Sequence, residues 1–102
     1  MEEISHKRTL ENLMNRLKGE YFLIHNLEYR YNGTIGEIDL LATYKDLLLQ
    51  FEVKTTDSDN NRLKAIEQLE RASIFLKDHF SYKKLGQFYV TPNKIEWIQN
   101  GR

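Results

Sequence analysis

Two strand-like segments that follow each other almost without a break limit the folds open to this chain. Residues 35–43 and 47–55 are rich in Ile, Leu, Val, Phe and Thr, and only residues 44–46 lie between them. Segments this close in sequence are expected to pair as an antiparallel hairpin. The chain therefore contains a β-sheet built around this hairpin.

The length of the turn decides which side chains of the hairpin face each other. With Lys45 and Asp46 as a two-residue turn, Asp39 lies directly opposite Glu52. The turn lacks an Asn-Gly or Asp-Gly pair, so a slipped register or a longer loop stays open, and a slip of one step still keeps the two acids close. The alternation gives an apolar face of Ile38, Leu40, Ala42, Leu49, Phe51 and Val53 and a polar face of Glu37, Asp39, Gln50, Glu52 and Lys54.

The remaining elements predict an α/β fold. Apolar residues at three- and four-residue spacing indicate a first helix over residues 4–17, which ends before Gly19. Further strands are expected over residues 21–29, 87–91 and 95–99, and a second helix over 62–79. The buried stripe of that helix is expected to contain Ile66, Leu69, Ala72, Ser73 and Leu76. The order αβββαββ predicts a central mixed β-sheet flanked by helices, with residues 1–102 as a single domain.

Composition excludes several classes of protein. The chain has 102 residues with 15 Lys plus Arg against 15 Asp plus Glu, so it does not resemble proteins that bind nucleic acid by bulk charge. The absence of cysteine excludes disulfide scaffolds and cysteine-ligated metal centres. The histidines, His6, His25 and His79, show no zinc-binding spacing. No apolar stretch reaches the length of a membrane span and the N-terminus lacks a secretory signal, so a cytoplasmic location is expected.

Asp39, Glu52 and Lys54 form the candidate chemical site. Two carboxylates that converge on a half-buried sheet face repel each other, and a hard divalent cation such as Mg²⁺ relieves that repulsion by accepting oxygen ligands from both. A lysine beside such a cation can orient a water molecule and stabilise charge on a phosphate. This combination is suited to phosphodiester hydrolysis, whereas the alternative is a solvated, salt-bridged sheet face.

The same residues resemble the PD-(D/E)xK nuclease superfamily, which includes Holliday junction resolvases, restriction enzymes and RecB-type and Cas4-type exonucleases. The segments that carry the resemblance are Gly-Glu-Ile-Asp-Leu at 36–40 and Phe-Glu-Val-Lys-Thr at 51–55. The segment from His25-Asn26 to Asp39 resembles the one ahead of the motif in the small resolvase-like and nuclease-related members. One departure is Ile38, which stands where many members have proline. The resemblance implies a restriction-endonuclease-like core and an Mg²⁺-dependent deoxyribonuclease, with Mn²⁺ able to substitute.

The resemblance also implies roles for individual residues. Asp39, Glu52 and the main-chain carbonyl of Val53 would bind the metal, and Lys54 would orient or activate the attacking water. Two more residues are expected to take part, although both lie at the border of an apolar helix stripe, where a surface role is the alternative. Glu11 on the first helix would complete or tune the metal shell, and Gln68 on the second would support Lys54 or the scissile phosphate.

The resemblance also suggests binding partners. Beside a carboxylate site, basic residues would contact DNA phosphates, and the candidates are Lys64, Arg71, Arg62, Lys7 and Arg8. The usual alternative is a solvated charged face. The resolvases of the superfamily imply branched DNA as one substrate and a homodimer as the working unit, with neither a membrane nor a small-molecule cofactor. A rival interpretation is a non-catalytic module that binds nucleic acid or protein on a nuclease fold.

Overall fold

The computed structural model describes residues 4–99 and has the predicted order of elements, αβββαββ. The helices and strands are α1 (Ile4–Leu17), β1 (Phe22–Tyr31), β2 (Thr34–Tyr44), β3 (Leu47–Val53), α2 (Asp59–His79), β4 (Lys84–Thr91) and β5 (Lys94–Trp97). No helix within residues 4–99 has the length and apolar character that crossing a membrane requires. The α/β fold class and the mixed sheet are confirmed, and the arrangement is compatible with a restriction-endonuclease-like core.

The five strands form one sheet in the order β1-β2-β3-β4-β5. All neighbours are antiparallel except β3 and β4, which are parallel because α2 carries the chain back across the sheet. Tyr44 pairs with Leu47 and Leu40 with Phe51, so the predicted register of the β2–β3 hairpin is correct. The two-residue turn forms without glycine, because Lys45 adopts a left-handed φ of 54°.

One helix covers each face of the sheet. Leu10 and Leu13 of α1 pack with Leu40, Phe51 and other buried residues of the central strands. On the opposite face, α2 buries Ala65, Leu69, Ala72 and Leu76. The predicted stripe of α2 is therefore correct at Leu69, Ala72 and Leu76, whereas Ile66 and Ser73 are only half-buried. Lys54, the first residue after β3, extends its side chain to the α2 side, where it bonds Gln68.

The helix α2 begins three residues earlier than its apolar pattern indicated. Ser58 is its N-cap, and the Ser58 hydroxyl accepts a hydrogen bond from the Asn61 backbone N–H at 3.1 Å. A serine in this position satisfies one of the backbone donors that a helix leaves unpaired at its start. Capping, rather than burial, therefore sets the first turn of α2 and the length of the loop after Lys54.

The alternation of side chains along β1 and β2 breaks at Asn26 and Asp39, which was not expected. Ile38 packs in the cluster on the α2 side together with Leu41, whereas the sequence placed it on the opposite face with Leu40. Residues three apart lie on opposite faces of a regular strand. The ladder pairs His25 with Leu40 and Leu27 with Ile38 but not Asn26 with Asp39, and Asn26 has a positive φ of 53°. The prediction that Ile38 shares a face with Leu40 was therefore wrong, because both strands are locally interrupted between these two residues.

Candidate functional site

The strands β2 and β3 separate at the position of Asp39. Backbone pairing of the hairpin ends at Leu40 and Phe51. Beyond that point, the Asp39 Oδ2 atom accepts a hydrogen bond from the Val53 backbone N–H at 2.8 Å. A side chain thus takes the place of a backbone acceptor, and it draws the Asp39 carboxylate against β3 beside Glu52.

Glu52 and Lys54 lie on the α2 side of β3. The Lys54 Nζ atom is 3.7 Å from Glu52 Oε2 and donates a hydrogen bond to Gln68 Oε1 at 2.7 Å. The backbone N–H of Lys54 donates to the Val90 carbonyl at 2.8 Å, which extends the β3–β4 ladder by one residue. Lys54 is therefore fixed at both its backbone and its ammonium group, and Gln68 from α2 joins the two carboxylates and the lysine in one cluster.

The two carboxylates are buried together, and this destabilises their charged forms. Asp39 and Glu52 are each only 6% exposed. Burial and the nearby charge of Asp39 raise the pKa of Glu52 to about 8, against the opposing effect of Lys54. Burial also raises the pKa of Asp39, although the hydrogen bond from Val53 works in the opposite direction. In the protein alone, this pair therefore binds protons more tightly than ordinary carboxyl groups do.

The donor atoms at this site fit a hard divalent cation. Within residues 4–99, no cluster of three His, Cys, Asp or Glu side chains could hold a metal ion. Mg²⁺ commonly uses one or two carboxylates and completes its shell with water and substrate phosphate oxygens, so a pair of acids is sufficient. A cation would also offset the burial and the nearby charge of Asp39 that raise the pKa of Glu52. Asp39, Glu52 and the Val53 carbonyl are the groups that would hold it.

Comparison with known families identifies the group to which this arrangement belongs. One protein-family model, described as the nuclease-related domain (NERD), matches residues 2–100. The chain belongs to the nuclease-related domain family. That family is part of the PD-(D/E)xK-like nuclease group, so the resemblance noted from the two hairpin segments is confirmed. No curated protein matches the sequence.

The NERD structure does not bring every predicted residue to the carboxylates. Glu11 is exposed on α1, and it forms no metal-binding cluster with the two acids in the described part of the chain. Its assignment as an additional ligand stays a prediction. Gln68, in contrast, contacts Lys54 directly, as the supporting role requires.

His6 is a neighbour of the site that was not predicted from the sequence. The His6 Nε2 atom lies 3.7 Å from Asp39 Oδ2, and its side chain is 22% exposed. The available signal was its position, because His6 precedes Leu10 and Leu13 by four and seven residues and so lies on the buried stripe of α1. The NERD site therefore receives a side chain from each helix, His6 from α1 and Gln68 from α2.

A cleft of about 390 Å³ adjoins the Lys54–Gln68 pair in the NERD structure. It is lined by Glu28, Tyr29, Ile35, Gly36, Glu37, Gln68 and Arg71, from β1, β2 and α2. Gly36 has a specific role in its wall, since a Cβ atom there would lie 2.5 Å from the Tyr29 ring. The cleft lies beside the part of β2 that extends past its last pair with β3.

The basic residues expected to bind DNA differ in their surroundings. Arg62 forms a bidentate ion pair with Glu96, in which Nη2 and Oε2 are 2.7 Å apart, so its guanidinium already links α2 to β5. Lys7 and Arg8 are exposed on α1, and Lys64 and Arg71 on α2. Because the two helices cover opposite faces of the sheet, these residues form two separate basic groups, and only Arg71 lines the cleft.

Proposed function

We propose that this nuclease-related domain is a metal-dependent deoxyribonuclease that hydrolyses phosphodiester bonds. The observation that carries the proposal is the burial of Asp39 and Glu52 side by side, with Lys54 held next to them. Such a pair is costly to keep in an apolar surrounding unless the negative charge has a use. Mg²⁺ is the proposed cofactor, and Mn²⁺ is expected to substitute for it.

When bound, the metal would supply Lewis-acid chemistry at a phosphate oxygen and favour ionisation of a water molecule. The protein positions the other participants. Hydrolysis forms a bond between a water oxygen and phosphorus and breaks one P–O bond to a sugar, and the proton that the water loses balances the proton that the leaving oxygen gains. The ammonium of Lys54, fixed by Gln68, orients the water and stabilises negative charge on the phosphate.

DNA is the proposed substrate, and branched DNA is a class that the superfamily suggests. A homodimer would allow two copies to present their sites to the strands of one junction. Both proposals extend the family resemblance, and the substrate that is cut tests the first of them.

The test is cleavage of labelled linear duplex, single-stranded and four-way-junction DNA with Mg²⁺, with Mn²⁺ and with EDTA. Wild type is compared with Asp39→Asn and Lys54→Ala, and Glu67→Gln on the exposed surface of α2 is the matched control. We expect metal-dependent cleavage that both site variants lose and the control retains. A folded wild type that binds DNA but cuts none of these substrates would overturn the proposal and favour a non-catalytic binding module.

A further inference from the structure

The cleft beside Gln68 is small. Its volume of about 390 Å³ lies near the lower end of pockets that bind small molecules. Asp39 and Glu52 are almost fully buried and do not line it, but Gln68 connects the two, because it lines the cleft and bonds Lys54, whose ammonium is 3.7 Å from Glu52. A space of this size accommodates about one nucleotide, whereas a base pair is wider and remains stacked on its neighbours unless it is opened.

The surface around the site is poorly equipped to hold a duplex. Basic side chains around the end of β3 are already engaged with acidic partners, as Lys54 is with Glu52, Arg62 with Glu96 and Lys94 with Asp57. The exposed surface of α2 carries acidic residues among the basic ones, namely Lys64, Glu67, Glu70 and Arg71. Duplex binding depends on several phosphate contacts by Lys and Arg. The chain also has no net charge to supplement these contacts.

The cleft offers groups for one unpaired nucleotide, with Arg71 as the cation of its lining beside the acidic Glu28 and Glu37. Arg71 contributes a guanidinium, which suits a phosphate, and Gln68 can make a hydrogen bond on the side away from Lys54. Ile35, which is 53% exposed at the rim, gives an apolar surface for the face of a base. The stretch of β2 over residues 35–37 lies past the last residue paired with β3, so its edge carries backbone donors and acceptors.

We propose that the substrate strand enters this site unpaired, with one nucleotide next to the scissile bond in the cleft and Arg71 against its phosphate. Single-stranded DNA, including the free strand of a flap, is then preferred over blunt duplex. Arg71 acts as a specificity-determining residue. This inference rests on the proposed nuclease function, since it names the form of DNA that the same site accepts.

The experiment combines cleavage with a binding measurement that does not depend on cleavage. Wild type and Arg71→Ala are assayed with Mg²⁺ on one labelled sequence as a single strand, as a flap and as a blunt duplex. Lys77→Ala, which removes an exposed cation from the last turn of the same helix, is the matched control. Binding of the labelled single strand and of the duplex is measured by fluorescence anisotropy in an Asp39→Asn background over a series of salt concentrations.

We expect single-stranded and flap DNA to be cut with a kcat/KM at least about tenfold above that of duplex, and Arg71→Ala to raise KM for the single strand about tenfold without changing kcat. The slope of log Kd against log salt should fall by about 0.7, as for one lost contact to single-stranded phosphate. Equal or better use of duplex, or an Arg71 variant that behaves like the Lys77 control, would overturn the inference while leaving the nuclease proposal intact. If no substrate is cut, the nuclease proposal fails, and the anisotropy data alone test whether the cleft binds an unpaired strand. Tighter, Arg71-dependent binding of the single strand than of the duplex supports that assignment. Equal binding, or binding that does not depend on Arg71, refutes it.

Discussion

Replacing Glu52 by glutamine should make the metal-free protein more stable at neutral pH. Glu52 is buried beside Asp39, and its pKa is raised from 4.5 to about 8. The folded state therefore holds a proton that the unfolded state releases in the range between these two values. Below pH 4.5 both states are protonated and the carboxyl group costs nothing. As pH rises from 4.5 to 8 the cost grows, and above 8 it is constant.

The magnitude follows from the size of the shift. At pH 7 the cost corresponds to about 3 kcal/mol, because each pKa unit is about 1.4 kcal/mol. The attraction of Lys54, which is 3.7 Å from Glu52, is already included in that pKa, and an imperfectly matched amide hydrogen bond offsets part of the gain, so we expect a net gain of about 2 kcal/mol. For a chain of this size, a gain of that order raises Tm by about 10 °C.

The assay is urea denaturation of wild type and Glu52→Gln in EDTA at several values between pH 4 and pH 9, followed by circular dichroism. The difference in unfolding free energy should be small at about pH 4, increase through neutrality and level off above pH 8. Glu67→Gln, at an exposed position on α2, should differ from wild type by less than about 0.5 kcal/mol at each pH. A Glu52 variant that is no more stable than wild type at pH 7, or a difference that does not shrink in acid, would refute the reasoning.

Three further outcomes are expected. Mg²⁺ at about ten times its Kd should stabilise wild type by about 1.4 kcal/mol but not Glu52→Gln, and an equal Tm shift in both proteins would argue against the carboxylates as ligands. Lys54→Met should keep that Mg²⁺-dependent Tm shift while it lowers the cleavage rate by about 10²-fold or more, so cleavage at the wild-type rate would exclude a role for the ammonium in the reaction. Gly36→Ala should destabilise the protein by about 1–3 kcal/mol, because its Cβ would meet the Tyr29 ring. Gly19→Ala, where the new methyl group meets nothing within 4 Å, serves as its control in the same denaturation experiment, and equal stabilities would contradict the packing argument.

The register of the central hairpin was accessible from sequence, because a short turn and alternating apolar residues determine it together. The pairing of Tyr44 with Leu47 and of Leu40 with Phe51 follows directly from a two-residue turn. Counting from there predicts Asp39 opposite Glu52, whereas the ladder ends one pair earlier and Asp39 approaches β3 through its hydrogen bond from the Val53 N–H. The position of Lys54 on the same face as Glu52 was also predictable, because residues two apart on a strand share a face.

The parts that sequence analysis missed depend on tertiary contacts. The interruption at Asn26 and Asp39 arises from a positive φ on one strand and a side-chain hydrogen bond to a third strand, and neither leaves a periodic signal. The position of His6 depends on how α1 is rotated about its axis over the sheet, which small shifts in packing decide. Helical spacing placed Glu11 at the border of the apolar stripe, and in the packed helix Glu11 is exposed while His6 approaches Asp39.

Two buried glutamines near the site show that neutral side chains can fill buried polar positions of this sheet. Gln50 and Gln87 are buried on the α2 side, and the Gln87 amide donates to Gln50 Oε1 at 2.9 Å and to the Leu69 carbonyl at 3.1 Å. These two buried positions of the sheet are thus filled by neutral groups that bond each other, which avoids leaving a charge in a low-dielectric interior. Glu52 is on the same strand two residues after Gln50, yet it carries an ionisable group whose charge is opposed by burial and by Asp39. A module that needed the fold alone would be more stable with a neutral side chain at this position. Two adjacent acids at positions where neutral side chains would be more stable therefore support the proposed cation site.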